Sequence, residues 1–266
     1  MTLAIVVGLS FAPALFWLWF FARRDKHPEP LALIVRTFAW GAAMVIPAAI
    51  LEILFESIGA SLGGAAVGAG VLLATVGPIE ELFKVLAARN IAKHREFDEP
   101  IDGLIYATAA SLGFATLENV FYLLQGGAAL ILVRGPISTL AHILFALPWG
   151  YALSLRRFKN ARGVQRRGLL IGAALHGLFD VLLAGGGIKG FEWLLIPFLP
   201  LMLVMWWLAG RYYAFAAHDA TQPEIEAQSL EAQSLEAQSL EAQARGLNVT
   251  NLEPIMPSTL EPTRES

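Results

Sequence analysis

Cysteine is absent from all 266 residues, and charge is scarce: only 15% of the chain is Asp, Glu, Lys or Arg. Without thiols there is no disulfide framework, no thiolate nucleophile and no Cys-ligated zinc or iron–sulfur centre. A water-soluble domain carries about 25% charged residues. Here 56% of residues are hydrophobic and mean hydropathy is +0.58, which leaves no solvated surface of the usual kind. No basic stretch is interleaved with aromatics, so a nucleic-acid groove is excluded as well. Residues 1–9 contain no Lys or Arg, and no small-x-small site ends the apolar run to Phe21. That run reads as a retained membrane helix, not a cleaved leader.

Long apolar runs are what the chain does have. Seven stretches could cross about 30 Å of hydrocarbon: 3–22, 31–55, 62–88, 102–124, 136–155, 168–187 and 191–213. The fold class is therefore all-α, a polytopic transmembrane helix bundle of about seven spans. The third stretch is Gly-rich at its start and carries Gly77-Pro78 in its middle. Proline removes a backbone donor, so a kink or restart is predicted at Pro78. Glycines in the third and sixth spans (Gly168, Gly172, Gly177) suit close helix packing. The loops after the first, third and fifth spans hold twelve Lys and Arg: Arg23, Arg24, Lys26, Arg89, Lys93, Arg95, Arg156, Arg157, Lys159, Arg162, Arg166 and Arg167. The opposite loops hold two, Arg134 and Lys189. Positive loops stay inside, which places the N-terminus outside and the C-terminus in the cytoplasm. Trp17, Trp19, Trp206, Trp207, Tyr212 and Tyr213 suit an interfacial aromatic belt. Residues 1–218 thus read as one membrane domain. Residues 219–266, where Glu-Ala-Gln-Ser-Leu occurs three times, read as a mostly disordered cytoplasmic tail. A period of five keeps no leucine face on a helix.

Ionisable residues within spans are costly and mark function or internal pairing by default. They cluster here. Glu80, Glu81 and Lys84 lie in the third span, Glu118 and Asn119 in the fourth, His142 in the fifth, and His176 and Asp180 in the sixth. Lys84 is i+4 from Glu80 and i+3 from Glu81, so it can pair with either on one helix face. A carboxylate left beside a negative neighbour in a dry site has the raised basicity of a general acid or base. Asp180 is i+4 from His176 and could fix its tautomer. Glu52 and Glu56, at the outer end of the second span, read as interfacial and structural. Asn119 is read equally as interhelical glue. Counted along the helices, Glu118, His142 and His176 share the outer half of the bilayer. Glu80 and Glu81 sit nearer its middle or its cytoplasmic half unless Pro78 bends the helix.

Glu80-Glu81-Leu82-Phe83-Lys84, Phe114-Ala115-Thr116-Leu117-Glu118-Asn119 with Tyr122, His142, and His176 with Asp180 resemble the motifs of the PrsW family of intramembrane proteases. These are distant relatives of the CAAX prenyl-protease and bacteriocin-processing membrane proteins. The resemblance covers about residues 75–184 and takes in Tyr106, Gly113 and Arg134-Gly135-Pro136. It implies an intramembrane endopeptidase in the bacterial cytoplasmic membrane. The implied substrate is membrane-anchored, by analogy an anti-sigma factor, with membrane lipid as the other partner and no nucleic acid. It also implies that Glu80 and Glu81 activate water and that Glu118, His142 and His176 complete the site, with Lys84, Asn119 and Asp180 in support. A divalent metal such as zinc is the open question. His142, His176 and Glu118 could supply three ligands with Glu81 as base. The lack of a His-Glu-x-x-His pair tilts the reading slightly to a metal-free site, in which a histidine stabilises the oxyanion. The alternative is a proton-coupled transporter or channel using the same Glu and His residues. Such a protein would often show broken helices in matching halves, and the sequence offers one break.

Overall fold

The computed structural model describes residues 3–126, 128–186 and 192–244. Among these, six α-helices and two short 3-10 turns (Ile91–Lys93 and Glu192–Leu195) account for the regular structure, with no strand. The helices are α1 (Leu3–Ala22), α2 (Leu31–Ala88), α3 (Asp102–Gly126), α4 (Ala128–Lys159), α5 (Val164–Gly186) and α6 (Phe198–Ala244). Packing divides the chain into residues 1–217 and residues 218–266.

In the first unit the helices are sorted by the solvent each face meets. Of the most apolar windows, 78% is buried in α3 and 83% in α4, but only 17% in the first arm of α2. That arm presents Trp40, Ile46, Ile50, Ile53 and Leu54 outward. A surface this apolar is stable only against lipid. Three segments are long and apolar enough to cross a membrane unaided: Leu31–Gly64, Asp102–Leu124 and Gly135–Lys159. The second arm of α2 carries the buried charges described below.

The break in α2 lies at Gly63–Gly64, not at Pro78. Only those two residues leave helical dihedrals, and Pro78 stays within the helix. Gly64 has φ 79° and ψ −175°, a region closed to residues with a Cβ. The two arms, 31–62 and 65–88, therefore fold back on each other as the second and third expected spans. The predicted depth mismatch came from starting the fifth span at Pro136. α4 begins at Ala128, so His142 lies about 21 Å along it, against about 24 Å from Gly64 to Glu80, at 1.5 Å per residue.

Aromatic rings join α1 to α6. Trp17, Phe20 and Phe21 lie about the Trp206 ring, and Phe21 stacks on Tyr213 at 5.5 Å. Trp19 and Trp207 face outward as a belt would, but Trp206 is shared with this packing and Tyr213 is buried in it. In the α1–α2 connection, burial pushes the carboxyls of Asp25 and Glu29 above their usual range.

Residues 219–244, expected to be disordered, continue α6 as helix. Glu, Ala, Gln and Leu are all strong helix formers, and extending an existing helix avoids the nucleation cost. Leu230 and Leu235 are exposed, so the repeat forms no core of its own. The end of the sixth expected span and the start of the seventh (187–191, including Lys189), and residues 245–266, lie outside the described residues.

Candidate active site

Four helices bring the intramembrane charges together. Close approach of α2 to α5 is possible because residue 77 is glycine. A Cβ there would sit 2.6 Å from the Ala173 carbonyl oxygen and 2.7 Å from the Gly177 nitrogen. One turn later the second arm delivers Glu80, Glu81 and Lys84, α3 delivers Glu118, α4 delivers His142 and α5 delivers His176.

Glu81 is fully buried and saturated. Its Oε1 accepts from Lys84 Nζ at 2.7 Å and from His176 Nδ1 at 3.0 Å, and its Oε2 accepts from the Trp149 indole N–H at 2.8 Å. Lys84 is also fully buried. Its ammonium meets Glu81, the Nδ1 of His142 at 2.8 Å and Glu80 Oε2 at 3.1 Å. Three donors on the ammonium thus meet three partners. With Lys84 donating to Nδ1, His142 carries its proton on Nε2, which lies 3.0 Å from Glu118 Oε2. With Nδ1–H given to Glu81, His176 turns the lone pair of Nε2 towards Glu80 Oε2, 3.7 Å away. The other approach to Glu80 Oε2 is His142 Nδ1, also at 3.7 Å. His176 is therefore held at Nδ1 by Glu81 with Nε2 turned to Glu80, whereas His142 is engaged at both nitrogens, Nε2 by Glu118 and Nδ1 by Lys84. Such an outer carboxylate fixes tautomer and ring direction at ligating or catalytic histidines.

A cavity of about 440 Å³ opens on this cluster. Glu52, Glu80, Glu118, Tyr122, His142, His176 and Asp180 line it, among apolar side chains such as Val45, Phe114 and Phe179. Glu81 and Lys84 are behind that wall. The expected water-activating role of Glu81 is thus mismatched to its geometry, because both oxygens are occupied and neither faces the cavity. Glu80 faces it, with its buried Oε2 paired to the Lys84 ammonium at 3.1 Å and approached by both histidines at 3.7 Å. Asp180 does not fix the His176 tautomer, since Glu81 holds Nδ1. Its Oδ2 instead lies 3.5 Å from Nε2 on the cavity side. Asn119 donates to Thr139 Oγ1 at 3.1 Å and ties α3 to α4, away from the cavity.

The ligand set expected from sequence also changes. Glu80, His142 and His176 each offer an atom within 4.8 Å of the others, whereas Glu118 touches His142 alone among the histidines. Two of the separations are 3.7 Å. Tetrahedral ligands about 2.05 Å from zinc are about 3.4 Å apart, so the spacing suits a zinc-class ion once Lys84 releases His142 Nδ1 and Glu80 Oε2. The two outer carboxylates, Glu81 and Glu118, fit it too.

Two residues escaped the sequence reading. Glu52, set aside as interfacial, lines the cavity with a buried Oε1 that has no hydrogen-bond partner. The available signal is its spacing: Val45, Ala48, Ala49 and Glu52 lie at i, i+3, i+4 and i+7 on one helix face. Trp149 anchors Glu81 from a position seven residues after His142, two turns along the same face.

Comparison with known proteins agrees with the motifs. The PrsW family of intramembrane metalloproteases matches residues 29–208. The chain is similar to Protease PrsW of Geobacillus kaustophilus, 31% identical over 84% of this chain and 99% of that protein. It is similar also to Protease PrsW of Bacillus subtilis (28%, covering 77% and 93%) and of Halalkalibacterium halodurans (32%, covering 75% and 91%). No solved structure matches the chain.

Proposed function

The chain belongs to the PrsW family of intramembrane proteases, and from that premise we propose that Glu80, His142 and His176 are the centre at which it cuts a peptide bond. It is an intramembrane endopeptidase of the bacterial membrane, and its substrate is a protein embedded in that membrane. The relatives it matches are proteases, and the transporter reading finds no support among them. The topology we propose is seven spans with the N-terminus outside. The substrate we propose is a single-pass regulator of the anti-sigma-factor kind.

The observation that carries the site assignment is the convergence of both rings on Glu80 Oε2 at 3.7 Å, with Glu118 holding Nε2 of His142, Lys84 its Nδ1, and Glu81 holding Nδ1 of His176. Glu80, His142 and His176 would hold a zinc-class ion, whose chemistry is to acidify a water molecule and polarise a carbonyl. Glu118, on the cavity wall, accepts the proton of the attacking water at its carboxylate and returns it to the leaving amine. Glu81 keeps the Nε2 lone pair of His176 aimed at the cavity. Lys84 balances the charge of the glutamate pair, which would otherwise be prohibitive to bury. The apolar wall formed by Phe114, Phe179 and their neighbours limits water around the reacting bond.

Purified full-length protein with single-pass membrane substrates tests this. Cleavage falls by at least about a hundredfold in Glu80→Gln and His176→Ala, and wild type loses activity to a chelator and regains it with zinc. Undiminished cleavage by both variants would remove these residues from the centre. Activity untouched by chelation would remove the ion.

A further inference from the structure

A second carboxylate cluster lies far from the cavity. Asp25 is in the turn after α1, Glu29 precedes α2, and Asp102 opens α3. Asp102 and Glu118 are 16 residues apart on α3, about 24 Å along the helix axis. The three carboxylates each offer an oxygen within 4.8 Å of the others. Oxygens on opposite sides of a cation at about 2.4 Å are about 4.8 Å apart, so one ion can reach all three.

The cluster has no countercharge of its own. Among the described residues no Lys or Arg pairs with any of the three. Lys26 is exposed, and Arg24 directs its guanidinium to the Phe20 carbonyl oxygen at 2.7 Å and to the Phe20 ring face. The imidazole of His27 pairs with Glu99. Glu29 and Asp102 hydrogen-bond each other, and neutral donors hold the acids from outside. The His27 N–H donates to Asp25 Oδ1 at 2.9 Å, the Tyr106 hydroxyl donates to Glu29, and the Glu99 N–H donates to Asp102 Oδ2 at 2.7 Å. Asp25 is only 7% exposed, and its Oδ2 is buried without any hydrogen-bond partner. A buried carboxylate oxygen left without a donor, beside two more carboxylates, is a position a cation would satisfy.

We propose that Asp25, Glu29 and Asp102 form a second metal site that takes a hard divalent cation, Mg²⁺ or Ca²⁺, through oxygen ligands alone. The absence of nitrogen and sulfur donors separates it from the histidine-bearing centre. Bound there, the ion ties the α1–α2 connection to the first turn of α3. That turn begins the helix carrying Glu118, so the site is a staple for the bundle and takes no part in the chemistry.

The test uses full-length protein stripped of metal, with His142→Ala and His176→Ala to silence the other centre. Mn²⁺ is titrated and followed by electron paramagnetic resonance. One Mn²⁺ binds per chain, Mg²⁺ or Ca²⁺ displaces it, and adding Asp25→Asn weakens binding at least tenfold. In parallel, the thermal unfolding midpoint of stripped wild type rises with Mg²⁺, a readout that needs no variant to fold. Absence of saturable Mn²⁺ binding, binding unchanged by Asp25→Asn, or a midpoint indifferent to Mg²⁺ would each overturn the site. The first and last are the outcomes expected if the three acids are held together by protons.

Discussion

Adjacent residues can have opposite surroundings, and Glu80 and Glu81 do. Glu81 has three donors and no access to the cavity, while Glu80 lines its wall with Lys84 as its one close cation. The spacing Glu-Glu-x-x-Lys shows that one lysine can serve both acids. It does not show which acid is saturated, because that depends on Trp149 and His176, which lie 68 and 95 residues away. Trp149→Phe isolates the point. An aromatic ring is kept, though a smaller one, and Glu81 Oε2 loses its donor, at a cost of about 1–3 kcal/mol for the lost donor. The thermal midpoint should drop by several degrees, measured in the same detergent, while cleavage continues. Loss of cleavage with an unchanged midpoint would instead place the indole in the chemistry.

At the scale of elements, the sequence conveyed the all-helical class and the spacing of charges within each stretch. It did not convey where long helices break or begin. Pro78 looked like the break and stays within its helix, whereas Gly63–Gly64 supplies the reversal because only glycine takes the dihedrals of Gly64. Starting α4 at Ala128 instead of Pro136 then brings His142 level with Glu80. Gly77→Ala tests how these helices meet. A Cβ 2.6 Å from the Ala173 carbonyl oxygen forces α2 and α5 apart, separating Glu81 from His176. Cleavage should fall more steeply than the midpoint does. Gly70→Ala, whose Cβ would meet nothing within 4 Å, should leave both unchanged. Equal behaviour of the two variants would count against tight α2–α5 packing as the source of the geometry.

For the whole molecule, the charge bias of the loops and the exposed apolar faces support the orientation proposed above. The lack of cysteine makes this directly measurable, since any introduced thiol is unique. Leu62→Cys, at a position 80% exposed, should react with an impermeant thiol reagent from outside the cell. Asn160→Cys, in the Arg-rich α4–α5 connection, should react only after the cytoplasmic side is opened. The reverse pattern would invert the topology. The repeat helix was misread as disorder because its composition lacks a core-forming face, but helix formation there needs propensity alone. Deleting residues 226–242 should leave cleavage within twofold of wild type. The central claim concerns the carboxylate that faces the cavity, and the most direct test is the cleavage rate of a membrane-embedded substrate by Glu80→Gln, set against wild type at equal folded concentration. The arrangement of Glu80 between His142 and His176 predicts a loss of at least about a hundredfold with the thermal midpoint retained. A folded Glu80→Gln protein that cleaves at the wild-type rate would contradict it.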